Sequence, residues 1–253
     1  GQAGFEVILL DASAKPENLL RENDARVFAI TIASENILKK AGAWFFLNEE
    51  NISSFRRMHV WDENGNGEIR FESASICQPT MGYIISHQVI LNALHKKLNE
   101  MENIACLNGI SPSWIKKETE VITLGVDNDR QFKAKLLVAA DGCNSKVRNL
   151  ANIDYQKHDY KQSALACVVT SEISHGEVAR QRFLKDGPLA FLPMRDPYKS
   201  GIVWSSTPEH IERLLKLDKA TFHDELASAF ANKLGKIKES AQRNIFSLSR
   251  AQA

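Results

Sequence analysis

Two aspartates in this sequence stand where apolar runs stop. Val7-Ile8-Leu9-Leu10 closes on Asp11, and Leu136-Leu137-Val138-Ala139-Ala140 closes on Asp141. Unbroken apolar runs of that length read as parallel strands covered on both faces. An acid at the carboxyl end of such a strand can accept hydrogen bonds from a ribose hydroxyl of a dinucleotide. It can equally be a surface acid at a strand end. The glycine-rich turn that should precede Asp11 by about 20 residues in the dinucleotide pattern is not in the sequence. After Asp141, Gly142 permits close backbone approach or a positive φ. Ser145, Val147 and Arg148 then lead into a helix whose amino terminus offers amide donors to an anion, with Asp141 placed to fix a ribose or an ordered water. Asp-Gly by itself is a common turn; the spacing through Arg148 is the more specific signal.

Arg26, in Asn23-Asp24-Ala25-Arg26-Val27-Phe28-Ala29-Ile30, places a guanidinium just before a helical pattern. Its fork matches phosphate oxygens, so it can clamp a pyrophosphate; the competing reading is a solvated arginine. No acid–base dyad, metal cluster or nucleophile elbow is visible. His175, in a sheet turn, reads as structural, and Trp44 and Trp61 read as packing residues. Arg180 and Arg182 alternate on one strand face and read as solvated or paired.

The elements that must position these groups follow from periodicity. Ile30, Ala33, Ile37, Leu38 and Ala41 predict a helix over 29–41, with Gly42 as terminator. Residues 87–99 also carry the helical period. Met58–Asp62 and Glu68–Phe71 bracket Asn64-Gly65-Asn66-Gly67 as a hairpin, and 121–126 with 131–134 form another around Asp127-Asn128-Asp129. From residue 160 the texture changes. Residues 165–170, 178–184, 189–193 and 201–205 read as four linked strands of an antiparallel sheet, and 208–233 as helical. The expected fold is therefore α/β, with a nucleotide-binding portion over 1–159 and an antiparallel-sheet portion with carboxyl-terminal helices over 160–253.

Composition narrows the function. With 253 residues, 43% hydrophobic, 25% charged and a net charge of +1, the chain has the profile of a globular cytoplasmic protein. It has neither a basic stripe for nucleic acid nor an acidic tail. Its four cysteines are scattered, which favours structural thiols in a reducing compartment over a disulfide framework or zinc site. No apolar run reaches the roughly 18 residues a membrane span needs, so membrane contact is expected to be peripheral at most. A core strand at residue 4 and a carboxyl end without a stop signal suggest a piece of a longer protein, cut at both ends.

The Asp-Gly stretch resembles the second fingerprint of flavin-dependent aromatic hydroxylases. Asp24-Ala25-Arg26 with Ala33-Ser34 resembles the region after that family's second strand. Three further runs resemble its ubiquinone-biosynthesis branch, closest to the 2-octaprenylphenol hydroxylase type: His175 to Phe183, Gly187 to Pro193, and Ile202-Val203-Trp204-Ser205. The resemblance covers nearly the whole chain, most diagnostically over 136–205. It implies a Rossmann-like, incomplete FAD-binding portion joined to an antiparallel substrate sheet, as in the para-hydroxybenzoate hydroxylase fold. It implies FAD as cofactor and NAD(P)H as co-substrate. The implied reaction hydroxylates a polyprenylated phenol with molecular oxygen through a flavin C4a-hydroperoxide, with no catalytic side chain and no metal. Asp11 would hold the adenosine ribose and Arg26 the pyrophosphate and ribityl region. His87 would stand where relatives carry Arg, Gln or Asn, and Asp141 and Gly142 would approach the pyrophosphate. Phe183, Phe191, Leu192, Pro193 and Trp204 would line the substrate wall, each with ordinary sheet core as the alternative. Assembly with other ubiquinone-biosynthesis proteins and contact with the inner membrane would be peripheral features. The amino-terminal GxGxxG and carboxyl-terminal Gly-Asp motifs of the family are missing, so this piece alone is expected to be inactive. Two rival readings stay open: a flavoprotein of the same scaffold performing prenyl reduction or halogenation, and a non-catalytic quinone-lipid binding or scaffold protein.

Overall fold

The computed structural model describes residues 2–13, 26–65, 67–127 and 130–252. In chain order the first elements are β1 (Val7–Asp11), β2 (Val27–Thr31), α1 (Ile32–Lys40), β3 (Ile52–Phe55), β4 (Arg57–Asp62), β5 (Glu68–Glu72), β6 (Gly82–Ser86) and α2 (His87–Asn99). Then come β7 (Ile104–Asn108), β8 (Pro112–Lys117), β9 (Ile122–Val126), β10 (Gln131–Ala134), α3 (Lys146–Leu150) and the long β11 (Gln156–Ser171). The chain continues through β12 (Val178–Leu184), β13 (Gly187–Pro193), β14 (Lys199–Ser206), α4 (Pro208–Lys216), α5 (Lys219–Ala229), β15 (Ile237–Ser240) and β16 (Asn244–Gln252).

The chain forms two compact units, neither of which is continuous in sequence. The first holds residues 1–18, 98–159 and 249–253, and the second holds 19–97 and 160–248. Residues 19–97 group with 160–248 and not with 1–18 and 98–159. Strand pairing is the reason: β4 runs parallel to β12, with Val178 opposite Arg57, so the hairpin of β4 and β5 becomes the edge of the large sheet.

In the second unit, eight strands make one mixed sheet, in the order β15-β11-β14-β13-β12-β4-β5, with β16 also paired to β11. Alternation along β13 and β14 sends Leu189, Phe191, Ile202 and Trp204 to one face. There α4 and α5 bring Ile211, Leu214, Phe222 and Leu226 to close the main core, with every one of these side chains at most 2% exposed. Burying four such helix side chains and their four sheet partners contributes about 1.5–3 kcal/mol each in transfer free energy. On the other face, Ala179, Met58 and Leu192 meet Phe55, Ile84 and Val27 of the small antiparallel sheet β2-β6-β3. Gly201 makes that approach possible, because a Cβ there would lie 2.5 Å from Val27 Cγ2.

The helices start where side-chain caps allow. Thr31 Oγ1 accepts from the Ser34 amide, so α1 begins at Ile32 rather than at residue 29, and residues 27–31 pair with β6 instead. The predicted helical run over 208–233 is two helices. Leu217 is extended, and the Asp218 carboxylate accepts from the Thr221 amide to start α5. The helix over 87–99 and both hairpins are as expected; Asn66, Asn128 and Asp129 of their turns lie outside the described residues.

The first unit departs furthest from the expectation. β1 pairs in parallel with β7, Val7 opposite Ile104 and Asp11 opposite Asn108, in a sheet of two strands. In a sheet of two strands β1 is not covered as a central strand would be: Leu10, near its end, packs on the core of Ile110, Leu124 and Val126, while Ile8 on the same face is 48% exposed. Residues 136–140 form no strand. Leu136 and Val138 are 74% and 72% exposed, and only Leu137 reaches the core of Ile110, Leu124 and Val126. An apolar run becomes a buried strand only when a neighbouring backbone takes up its amides and carbonyls; among the described residues none does. The expectation of a buried strand over 136–140 closing on Asp141 is therefore corrected.

Candidate functional site

In the first unit, β1 delivers Asp11 to the carboxyl end of a parallel ladder, as the sequence implied. One carboxylate oxygen accepts the Ser13 amide at 2.8 Å, an Asx-type turn that fixes the side chain against its own loop. The Asp11 carbonyl accepts the Ile110 amide at 3.0 Å, tying the tip of β1 to the turn after β7.

Asp141 is committed locally. It accepts from the Ser145 hydroxyl and, through its second oxygen, from the Val147 amide at 3.2 Å. Ser145 in turn caps α3 by accepting from the Arg148 amide at 3.0 Å. Partial desolvation works to raise the Asp141 pKa, yet the donated hydrogen bonds outweigh it and hold the carboxyl below its usual range. Asp141 thus shapes the 141–148 turn. Gly142 sits at φ +82 with open space where a side chain would project, so its backbone is presented without cover. Arg148 closes the turn by donating to the Cys143 carbonyl at 3.1 Å while stacking over Tyr155 at 3.5 Å.

In the second unit, Arg26 and His87 come together across 61 residues of sequence. β2 and β6 pair with Val27 opposite Ser86, which places the residues before and after those strand ends side by side. The His87 amide donates to the Arg26 carbonyl at 3.0 Å. The Arg26 guanidinium donates to His87 Nδ1 at 2.9 Å. Since arginine has only donors, Nδ1 is the acceptor, and the neutral ring then carries its proton on Nε2. Phe28 meets the imidazole edge-on at 5.7 Å and Phe246 lies 5.9 Å under the guanidinium. The pair is a preorganised donor group, with an oriented guanidinium and an imidazole N–H. Asp24 and Ala25, which the family pattern includes, lie outside the described residues.

The five aromatic and apolar residues expected to form a substrate wall do not share a face. Phe191 stacks on Phe230 at 3.9 Å beneath α5, and Pro193 is also fully buried. Trp204, 2% exposed, packs edge-on against His210 at 5.5 Å on the helix side. These three are core residues, because strand alternation points them at the helices. Leu192 and the 45%-exposed Phe183 belong to the opposite face. His175, Trp44 and Trp61 are structural as read: His175 Nε2 faces the carbonyls of Met194 and Asp196 at 3.0 Å while Nδ1 accepts the Glu177 amide. Trp44 packs on Tyr83 and Trp61 on Phe230. Arg180 and Arg182 are half-buried and, among the described residues, in no ion pair; they donate to the His175 and Ala229 carbonyls at 2.7 Å. Sequence reasoning missed the contact of Arg26 with His87. The register of two strands too short to show a clear period creates it.

Comparison with known proteins gives a consistent picture. Residues 114–253 match a family described as FAD binding domain. The ubiquinone biosynthesis monooxygenase COQ6, mitochondrial, of Caenorhabditis elegans is 34% identical over 96% of this chain and 55% of its own length. The 3-demethoxyubiquinol 3-hydroxylase of Escherichia coli K12 is 30% identical over the whole chain and 64% of its own length. The chain thus spans between half and two thirds of these curated relatives. Among solved structures, Pseudomonas aeruginosa PqsL in complex with 2-aminobenzoylacetate aligns at a TM-score of 0.77, with 16% identity over 98% of this chain and 68% of that one. CtdE in complex with FAD and a substrate aligns at 0.71, with 14% identity over 99% of this chain and 65% of that one. At such identities these two structures speak for the fold alone.

Proposed function

The chain belongs to the FAD binding domain family, and from its likeness to hydroxylases of ubiquinone biosynthesis we propose that the whole protein is an FAD-dependent monooxygenase that hydroxylates the aromatic ring of a polyprenylated phenol. The reading takes FAD as cofactor, NAD(P)H as electron donor and molecular oxygen as the source of the hydroxyl. The observation that carries it is identity of 30% or more to two ubiquinone-pathway hydroxylases over nearly all of this chain, so that both units, not the nucleotide-binding residues alone, share the likeness.

The side chains present suit FAD. Among the described residues Asp11 keeps one carboxylate oxygen without a hydrogen bond, at the strand position where a ribose diol finds its acceptor. Gly142 offers bare backbone, and Arg26 offers a guanidinium whose direction His87 fixes. We assign Asp11 to the adenosine ribose, Arg26 and His87 to the pyrophosphate and flavin side chain, and Gly142 to close backbone approach. When bound, FAD supplies the redox and oxygen chemistry. The task of this chain is to bind it, orient the phenol and exclude water. Arg26 brings positive charge to the phosphates, and His87 Nδ1 holds that guanidinium in place. Asp141 holds the turn that presents Gly142. On the sheet, Phe183 and Leu192 are the two of the five candidates on the face away from the helices, and we assign substrate contact to them. None of the described helices is long and apolar enough to cross a membrane, and peripheral contact with the lipid phase that carries a polyprenyl substrate completes the proposal.

The test is direct. Full-length protein purified without added cofactor should show flavin absorption and consume NAD(P)H and oxygen only when a prenylated phenol is supplied, yielding product heavier by one oxygen. Full-length protein that stays colourless after reconstitution with FAD would remove the basis of the reading.

A further inference from the structure

A small cavity of about 110 Å³ lies in the second unit, between the edge strand β3 and the turns at 174–177 and 194–197. Its lining is unusual in chemistry rather than size. Ser53, Ser54 and Ser174 line it together with Arg195; Ser53 and Ser54 are consecutive strand residues, so one of their hydroxyls can turn to it beside that of Ser174. Ser174 Oγ accepts the Gly176 amide at 3.3 Å, leaving its proton to donate elsewhere. Among the described residues, the Ser53 and Ser54 hydroxyls and the Arg195 guanidinium are engaged in no hydrogen bond or ion pair. Ser53 is only 7% exposed as a residue, so what it offers is confined to the cavity side of β3. β3 pairs on one side only, with β6, so the backbone amides of its other edge are also available.

The surrounding charge is positive. The Arg57 guanidinium donates to the Gly176 carbonyl at 3.0 Å and that of Arg180 to the adjacent His175 carbonyl at 2.7 Å. Two like charges thus sit on consecutive carbonyls of one turn, with no carboxylate partner among the described residues. The effect registers on Arg180, whose pKa burial pushes down with help from the Arg57 charge. Arg56 is taken by Glu177 at 3.4 Å, the one carboxylate that lines the cavity. Asp196, beyond the lining, caps the Tyr198 amide and faces Lys199 at 3.9 Å. Four arginines and one lysine therefore face two acids.

Hydroxyl donors, a guanidinium and a net positive field, around a space too small for a nucleotide, suit a compact oxyanion whose oxygens each need a donor. We propose that this cavity is a phosphate-binding site, taking inorganic phosphate or the phosphomonoester head of a larger molecule. Hydroxyls from β3 and from the 174–177 turn, with a guanidinium from the 194–197 turn, approach from separate segments, which favours a tetrahedral anion over a planar carboxylate. The site is separate from Arg26 and His87 and needs no flavin.

The experiment uses full-length protein and the variant Arg195→Ala, at an exposed position whose loss leaves the fold intact, as an unchanged melting transition in phosphate-free buffer would verify. Thermal melting and titration calorimetry with inorganic phosphate, against sodium chloride of equal ionic strength, test the free anion. Flotation with vesicles containing phosphatidic acid, against phosphatidylcholine alone, tests a lipid-borne phosphomonoester. Saturable phosphate binding that weakens roughly tenfold or more in Arg195→Ala supports the site with free phosphate as its ligand. Binding to phosphatidic-acid vesicles alone, lost in the same variant, supports it with a lipid source. No phosphate or phosphatidic-acid binding beyond the salt and neutral-lipid controls, or binding that Arg195→Ala leaves unchanged, overturns it.

Discussion

The carboxylate of Asp141 shows how one residue can be recognised correctly and assigned too far. Its spacing from Ser145 and Arg148 marked a special turn, and the turn is there, but both carboxylate oxygens are used within it. Asp141→Ala should therefore act first on the turn, costing about 1 kcal/mol as lost helix-start capping does, with weaker FAD retention following from a displaced Gly142. Chemical denaturation measures the first and flavin fluorescence the second. The folded-state pKa of Asp141 is depressed. Its contribution is therefore in full force above the unfolded carboxyl value and fades as pH falls through the folded one, so the variant's deficit should shrink in acid. Gly142→Ala should cost about 1 kcal/mol for the positive φ alone. Arg26 and His87 separate charge from orientation. In the full-length protein, Arg26→Ala should raise the FAD dissociation constant by roughly tenfold or more. His87→Phe, which removes the acceptor for Arg26 and the ring N–H but keeps the guanidinium charge, should raise it less. Equal FAD affinity in wild type and Arg26→Ala would refute the assignment.

At the scale of elements, strand alternation sorts what composition could not. Phe183, Phe191 and Leu192 looked alike in the sequence, since each is an apolar residue in a strand. Which face each takes depends on the partner layers, and those are set by contacts far along the chain. Phe191→Ala should destabilise the sheet unit by about 3–5 kcal/mol in urea unfolding. Phe183→Ala should leave stability within about 1 kcal/mol and instead raise KM for the prenylated phenol. The turn after β11 makes a pH-dependent prediction. His175 is buried, and desolvation holds its pKa below the ordinary 6.5. Both nitrogens are engaged with backbone, so a second proton would set an N–H against the Glu177 amide. The unfolded chain takes up that proton first, so stability should be full above about pH 6.5 and fall as pH drops from there toward the lower folded value. His175→Gln should flatten that slope. The four strands over 165–205, both hairpins and the helix at 87–99 were legible because period and turn residues agree there. β7, β8, β15, β16 and the first half of β11 were not. Their alternation is weak, and their pairing is with segments tens of residues away. The run at 136–140 failed in the opposite direction: its hydrophobicity was clear, but hydrophobicity alone does not supply a hydrogen-bonding neighbour.

For the molecule as a whole, that failure has a physical consequence. The sequence showed a two-part α/β chain, but not that residues 19–97 belong with the sheet, because only the parallel pairing of β4 with β12 decides it. It also showed apolar segments without showing which would find cover. Leu136, Val138 and Phe5 of the first unit are more than 70% exposed. Isolated apolar side chains on a surface are ordinary, but three large ones at that exposure within a unit built on a two-stranded parallel sheet are a liability for association. The 253-residue chain produced alone should therefore self-associate with rising concentration and bind a hydrophobic dye. Light scattering after size exclusion would measure the first and dye fluorescence the second. Leu136→Lys with Val138→Lys should suppress both while leaving the melting of the second unit unchanged, since the main core there is made of residues 165–237 with none from 136–140. A chain that stays monomeric at high concentration with both residues intact would show that these side chains find cover within the first unit, contrary to the exposure on which the prediction rests.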